Sequence, residues 1–251
     1  MRRNKKKRIY DFLIIVLMIL LIYVCFQIYS DYHSIHKVQK DLESIKKACV
    51  SESVNPKDKK KVHRKVDWKH LQKINNNCIA WIKIPGNVVD YPILKTNSYN
   101  YYLSHDINNN YSQYGTLFFD YRLYDKTLKS KNLIIYGHNM GHYTDVMFSS
   151  LMKYKQSNYA SKHRTVYLYT VNREEPYVYK IVSVREVNKS SDAYKIEFTK
   201  KEFKNWQKKM MDDSIIGLSE EKEIKGNQQI LTLSTCTYDS NRLVLHCVKT
   251  K

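Results

Sequence analysis

Ile230-Leu231-Thr232-Leu233-Ser234-Thr235-Cys236 is followed by Thr237-Tyr238-Asp239-Ser240-Asn241 and then by Arg242-Leu243-Val244-Leu245-His246-Cys247-Val248. The stretch reads as two strands joined by a five-residue polar loop, a hairpin of the longer kind. Side chains alternate along a strand, so Leu231, Leu233 and Thr235 share one face, and Thr232, Ser234 and Cys236 share the other. In the second strand Leu243, Leu245 and Cys247 form the apolar face, with Arg242, Val244 and His246 opposite. If both leucine faces go to the core, Cys236 and Arg242 end on the non-core side at the two ends of one loop. A thiol and a permanent cation then share one rim, an arrangement suited to catalysis.

Strand-like runs dominate the chain upstream of this hairpin. Cys78–Ile84 ends at the turn signal Pro85-Gly86-Asn87, and Val88–Leu94, Gly115–Asp120, Asn132–Tyr136, Thr165–Tyr169 and Tyr177–Val184 follow. Only two later segments look helical: Met147–Tyr154, and Lys200–Met211 with Phe203, Trp206 and Met210 spaced for one buried face. A short helix capped by Asp67 is expected up to Ile74. Many short strands with few helices argue a closed β-barrel or a sandwich. Glycine is scarce at 6, so turns lean on Asn, as in Asn75-Asn76-Asn77 and Asn108-Asn109-Asn110.

The N-terminus is of a different kind. Residues 1–9 hold Arg2, Arg3, Lys5, Lys6, Lys7 and Arg8 and no acid, and Phe12–Ile28 is nearly all apolar. As a helix that run covers roughly 25 Å, at the short end of what a bilayer needs. Tyr10, Tyr23 and Tyr29 flank it. The basic run is expected to stay cytoplasmic, with the rest of the chain outside. No small-residue cleavage site follows, so an uncleaved anchor is expected rather than a signal peptide. Residues 30–66 are polar and charged and read as a stalk, partly helical at best. The organisation expected is a tail over 1–9, an anchor over 10–29, a stalk over 30–66 and a folded domain over 67–251. Beside a membrane span the basic tail is read as a topology signal, and no nucleic-acid partner is inferred. With the six tail cations set aside, the remaining Lys and Arg still exceed the 24 acids by 13, an excess that draws polyanions without naming one.

The 5 cysteines are odd in number and irregularly spaced, which argues against a disulfide framework, and no C-x-x-C pair suggests structural zinc. A nucleophilic cysteine needs a group that takes its proton or stabilises its thiolate. His138 leads, because it follows a strand in Tyr136-Gly137-His138-Asn139-Met140, where Gly137 permits an unusual backbone. His33, His36, His63 and His70 lie in or near the stalk, and His105 and His163 lie in polar stretches. His142 follows His138 by four, but Gly137 and Gly141 oppose a metal-binding helix there. His246 adjoins Cys247 and points to the opposite face. Cys247, Cys25, Cys78 and Cys49 are read as packing or spectator thiols. Arg242 can hold the oxyanion formed when sulfur attacks a carbonyl.

Thr232-Leu233-Ser234-Thr235-Cys236 followed by Arg242, with Tyr136-Gly137-His138-Asn139-Met140 upstream and an N-terminal anchor, resembles the sortases, membrane-anchored cysteine transpeptidases of Gram-positive bacteria. The likeness runs from about Asp67 to Val248. Asp90-Tyr91-Pro92-Ile93, His105-Asp106, Phe119-Asp120-Tyr121-Arg122, Met147-Phe148 and the helix near 200–211 are similar to class B. Asn97-Ser98 stands where that family often has D-N, and the spacing from Cys236 to Arg242 is shorter than in some class B members.

The resemblance implies an eight-stranded β-barrel with flanking helices. It implies that Cys236 attacks the Thr carbonyl of an NPxT-type sorting signal near a substrate protein's C-terminus, that His138 protonates the leaving amine, and that Arg242 holds the oxyanion. Ser234 and Thr235 are the implied substrate contacts. A peptidoglycan amine resolves the thioester, surface proteins bearing the signal are the substrates, and no cofactor or metal is required. Two rivals remain open on sequence: a membrane-anchored cysteine peptidase, and a non-catalytic wall-binding module.

Overall fold

The apolar runs upstream of the final hairpin pair with it into one closed sheet. The computed structural model of this chain describes residues 2–55, 58–86, 89–141, 144–218, 224, 226–237 and 241–251. Asn87 and Val88 of the expected turn and strand, His142, and Tyr238–Ser240 of the hairpin loop lie outside the described residues. The chain divides into two compact units, Met1–Glu43 and Ser44–Lys251.

The first unit is helical throughout its described residues, part of α1 (Arg2–Cys49). Its apolar side chains from Phe12 to Ile28 are exposed, and α1 is long and apolar enough to cross a membrane. The second unit holds the last turns of α1 and then β1 (Val50–Asn55), β2 (Asp58–Val66), α2 (Trp68–Ile74), β3 (Cys78–Lys83), β4 (Asp90–Leu94), β5 (Leu117–Phe119) and β6 (Asn132–Tyr136). It continues with α3 (Ser157–Lys162), β7 (Thr165–Thr170), β8 (Arg173–Val187), α4 (Lys200–Asp212), β9 (Ile230–Cys236) and β10 (Arg242–Lys249).

Strands β3 to β10 close an eight-stranded barrel in the order β10-β8-β7-β3-β4-β5-β6-β9. Two of its ladders are parallel, β4 with β5 and β6 with β9; the others are antiparallel. The closed β-architecture expected from the sequence is the one observed. The expected hairpin forms with Leu233 opposite Leu245 and Thr232 opposite His246. Its leucine face fills the barrel, where Leu231, Leu233, Leu243 and Leu245 are fully buried.

The other face of the hairpin is also buried along most of its length. Helix α4 begins with a capping box, Thr199 accepting from the Glu202 amide and Glu202 from the Thr199 amide. Its Phe203, Trp206 and Met210, spaced three and four apart, pack on Val182, Ile230 and Val248. His246 lies under this helix, its Nδ1 3.0 Å from the Thr232 hydroxyl and its ring edge-on to Trp206. At the other end of this face Cys236 and Arg242 are only partly buried.

Residues 44–66 differ from the expected stalk. Those described, 44–55 and 58–66, form the end of α1 and the paired strands β1 and β2, within the barrel unit. The cause is Arg64, which is almost wholly buried. Its guanidinium donates to Asp90 at 2.5 Å and 3.0 Å and to Glu52 at 3.0 Å, and it lies over the rings of Trp81 and Tyr169. Lys46 and the Trp81 indole also reach Asp90. Burial pushes the Asp90 carboxyl up, but hydrogen bonds from Arg64 and Lys46 outweigh it and hold the group below the usual carboxylate range. The expected helix near Met147–Tyr154 is a 3-10 segment over Ser149–Lys155.

Full burial lowers the His246 pKa to about 3, and the Arg185 cation acts in the same direction. The folded state therefore favours neutral His246. Its contribution to stability is complete above the unfolded value near 6.5 and is lost as pH falls toward 3. Urea denaturation should show the wild type losing on the order of a few kcal/mol across that window. A His246→Gln variant should give a visibly flatter profile between about pH 4.5 and 6.5.

Candidate active site

Parallel strands end at the same rim, and β6 and β9 pair with Tyr136 opposite Ser234. The ladder continues through the Gly137 amide, which donates to the Ser234 carbonyl at 3.2 Å. Two residues beyond the Tyr136–Ser234 pair, on the same face, come His138 and Cys236. On the other side of β9, Cys236 pairs with Arg242, and the Thr237 amide donates to the Asn241 carbonyl at 3.0 Å. Paired residues point the same way, so the thiol and the guanidinium share a face, at the rim where His138 follows the end of β6.

Gly137 serves packing rather than an unusual backbone, because its φ is not in the left-handed region. A Cβ there would collide with Leu117 and lie 2.8 Å from Phe148. The segment after it is pinned on both sides. The Asn139 side chain donates to the Cys236 carbonyl at 2.9 Å, the Met140 amide to Ser149 Oγ at 2.7 Å, and the Phe148 amide to the His138 carbonyl at 3.0 Å.

His138 Nε2 lies 2.7 Å from the Leu103 carbonyl oxygen. A carbonyl only accepts, so Nε2 carries the proton and Nδ1 is the nitrogen left to exchange one. Arg242 is half-buried and donates to the Asn241 carbonyl at 3.2 Å; among the described residues no carboxylate lies within ion-pair distance of it. Among the described residues the Cys236 thiol makes no hydrogen bond. These groups are the set that thiol attack on a carbonyl requires: a nucleophile, a proton carrier and a fixed cation.

Around them lies a cleft of about 290 Å³. His138, Ser234, Thr235, Cys236 and Arg242 all line it, so the structure brings together every site residue named from the sequence. The Ser234 hydroxyl meets the Tyr194 hydroxyl at 2.9 Å. The Thr235 hydroxyl is buried and unpartnered among the described residues. Burial pushes Tyr194 up to about 12, the Ser234 hydrogen bond and the Arg242 charge acting in the opposite sense.

The sortase-domain family model matches residues 82–250. Sortase B of Listeria monocytogenes is 34% identical over 182 residues, which is 70% of each chain. The chain belongs to the sortase family. Its relatives place it in class B: sortase B of Staphylococcus aureus is 27% identical over 69% of each chain. A crystal structure of sortase B from B. anthracis superposes with a TM-score of 0.72 at 27% identity, covering 89% of this chain and 99% of that one. A sortase B crystal structure complexed with triglycine gives 0.65 at 25% identity, over 74% of this chain and 86% of that one. Sortases of this class are cysteine transpeptidases, and this chain is one.

In this sortase the remaining thiols of the barrel unit are sealed. Cys49, Cys78 and Cys247 are buried, and burial raises the pKa of each. Cys25 is exposed in the first unit. Among the described residues no three His, Cys, Asp or Glu converge as a metal site. Sequence reasoning missed the Leu103 carbonyl, which no residue type announces. It also missed Tyr136 and Tyr194 in the cleft wall, although alternation along β6 puts Tyr136 on the face of His138.

Thiol labelling follows from this burial. With the folded chain in detergent, a bulky maleimide is expected to modify Cys236 at least about 100-fold faster than Cys49, Cys78 or Cys247. Mass mapping with the first label on one of those three would contradict the placement.

Proposed function

We propose that this sortase cleaves an NPxT-type C-terminal sorting signal after Thr and transfers the substrate protein to a peptidoglycan amine. Cys236 Sγ attacks the Thr carbonyl, and Arg242 and nearby backbone amides hold the resulting oxyanion. The tetrahedral intermediate collapses, breaking the Thr amide and leaving a thioester. His138, protonated on Nδ1 at the expense of the thiol, gives that proton to the leaving amine. An acceptor amine then attacks the thioester and gives a proton back to His138 Nδ1 as the thiolate departs. The Leu103 carbonyl holds the ring in one tautomer throughout, the task a carboxylate performs in other triads. Ser234 contacts the peptide, and Thr235 contributes through its main chain.

The observation that supports this reading is the register at one rim: Cys236 pairs with Arg242, β6 ends at Tyr136 opposite Ser234, and His138 lines the same cleft as both. The structure of a relative with triglycine supports a short glycine amine as acceptor. In the same reading residues 10–29 anchor the protein in the cell membrane, the basic residues 1–9 stay cytoplasmic, and the barrel unit works outside the cell. Residues 30–43 connect the two, because 44–66 belong to the barrel unit.

Incubation of an NPxT peptide with and without triglycine tests the proposal. The expected products are a triglycine adduct with the acceptor present and slow hydrolysis without it. Cys236→Ala should abolish both, and Arg242→Lys should lower kcat by about 100-fold. Release to water alone at saturating triglycine would indicate a peptidase, and unchanged cleavage by Cys236→Ala would refute thiol catalysis.

A further inference from the structure

One wall of the cleft is not part of the barrel. It is the segment leading from β8 into α4, with a 3-10 turn at Asp192–Tyr194. Its backbone makes no ladder with a strand among the described residues, so beyond the bonds of its own turns its carbonyls depend on side chains from elsewhere. The Trp206 indole donates to the Asp192 carbonyl at 3.0 Å. Asn132 donates to the Ala193 carbonyl at 3.0 Å and the Lys195 carbonyl at 2.9 Å. The Tyr194 carbonyl takes a hydrogen bond from Arg122 Nη2 at 2.9 Å.

Arg122 is itself aimed by Asp120. That carboxylate is only 2% exposed, and it accepts from Arg122 Nε at 2.9 Å, Nη2 at 2.7 Å and the Arg122 amide at 3.0 Å. Its Oδ2 also accepts from the Tyr136 hydroxyl at 2.8 Å. Tyr136 stacks on Tyr194, with ring centroids 6.1 Å apart, and the Tyr194 hydroxyl reaches Ser234. One buried carboxylate thus fixes, through two arms, an aromatic pair that lines the cleft with Cys236.

We propose that Asp120 and Arg122 are positioning residues: their ion pair clamps the Tyr194 segment against β6 and sets the width of the cleft in which the peptide lies. The fork of Arg122 spans two acceptors, the carboxylate and a main-chain carbonyl, which a lysine cannot reproduce. The peptide part of this inference rests on the function proposed above; the clamp itself does not.

Two readouts separate the two. Hydrogen exchange of the 192–195 amides in the full chain tests the clamp directly. Arg122→Lys and Asp120→Asn should each speed exchange there by roughly tenfold, the scale of one lost charge-assisted hydrogen bond, with no change across β9. Steady-state cleavage of an NPxT peptide tests the consequence. KM should rise by roughly tenfold and kcat change by less than about threefold, and Asp120→Glu should recover part of the loss. The rate at which iodoacetamide alkylates Cys236 should stay at the wild-type value, which a collapsed site would not preserve. Unchanged exchange at 192–195 overturns the clamp. A fall in kcat at constant KM overturns the positioning role. Faster exchange in the variants of a protein that cleaves no sorting peptide supports the clamp while removing the proposed substrate.

Discussion

Parallel pairing of β6 with β9 has a geometric consequence that the antiparallel ladders of this barrel do not share. Both strands finish at one rim with their registers locked by the ladder below, so residues just past the end of β6 come near the last residue of β9. Such strands cannot be joined by a tight turn. Here the connection carries β7, β8 and α4, and the same excursion returns as the cover over the outer face of β9 and β10. The thiol is reached because Cys236, at the end of that face, is only partly buried. The supply of His138, the supply of Arg242 and the exposure of the sulfur all follow from where strands end.

Burying a polar strand face costs free energy unless each group finds a partner. The outer face of β6 and β9 meets that demand residue by residue. Asn132 accepts from the Thr232 hydroxyl and donates to two carbonyls of the segment above it; Thr232 also meets His246, and Ser234 meets Tyr194. Each bond contributes about 1 kcal/mol net, and orphaning one end costs more. The polar residues that make this face look like a surface in the sequence are the ones that fasten a second layer onto it.

The hairpin of β9 and β10 was legible because its leucines alternate cleanly, and so was the strand that ends before Gly137. The barrel unit was less legible at its N-terminal edge. In β2 a buried position is held by Arg64, set in a run of lysines, so the pattern reads as solvated. Only the distant Asp90 and Glu52 make its burial tolerable, and no local signal carries that. Gly137 was noticed for the wrong reason: it is small because Leu117 and Phe148 crowd it. The carbonyl of Leu103 that orients His138 was invisible, because a main-chain acceptor has no residue identity to read. Asp120 and Arg122 stood out as a block, but the reach from Arg122 to Tyr194 crosses 72 positions, and sequence gives no measure of that.

Engineered cross-linking addresses the register on which all of this stands. Facing side chains on neighbouring parallel strands lie within disulfide reach, about 5 Å between Cα atoms, whereas residues one step out of phase point away. The measurement is disulfide formation to Cys236 under mild oxidation in His138→Cys and, as the out-of-phase control, in Ile135→Cys, a buried position that pairs with Leu233. Rapid, near-complete bonding at position 138 and little at 135 is the expected result. Equal bonding at both, or bonding at 135 alone, would contradict the register.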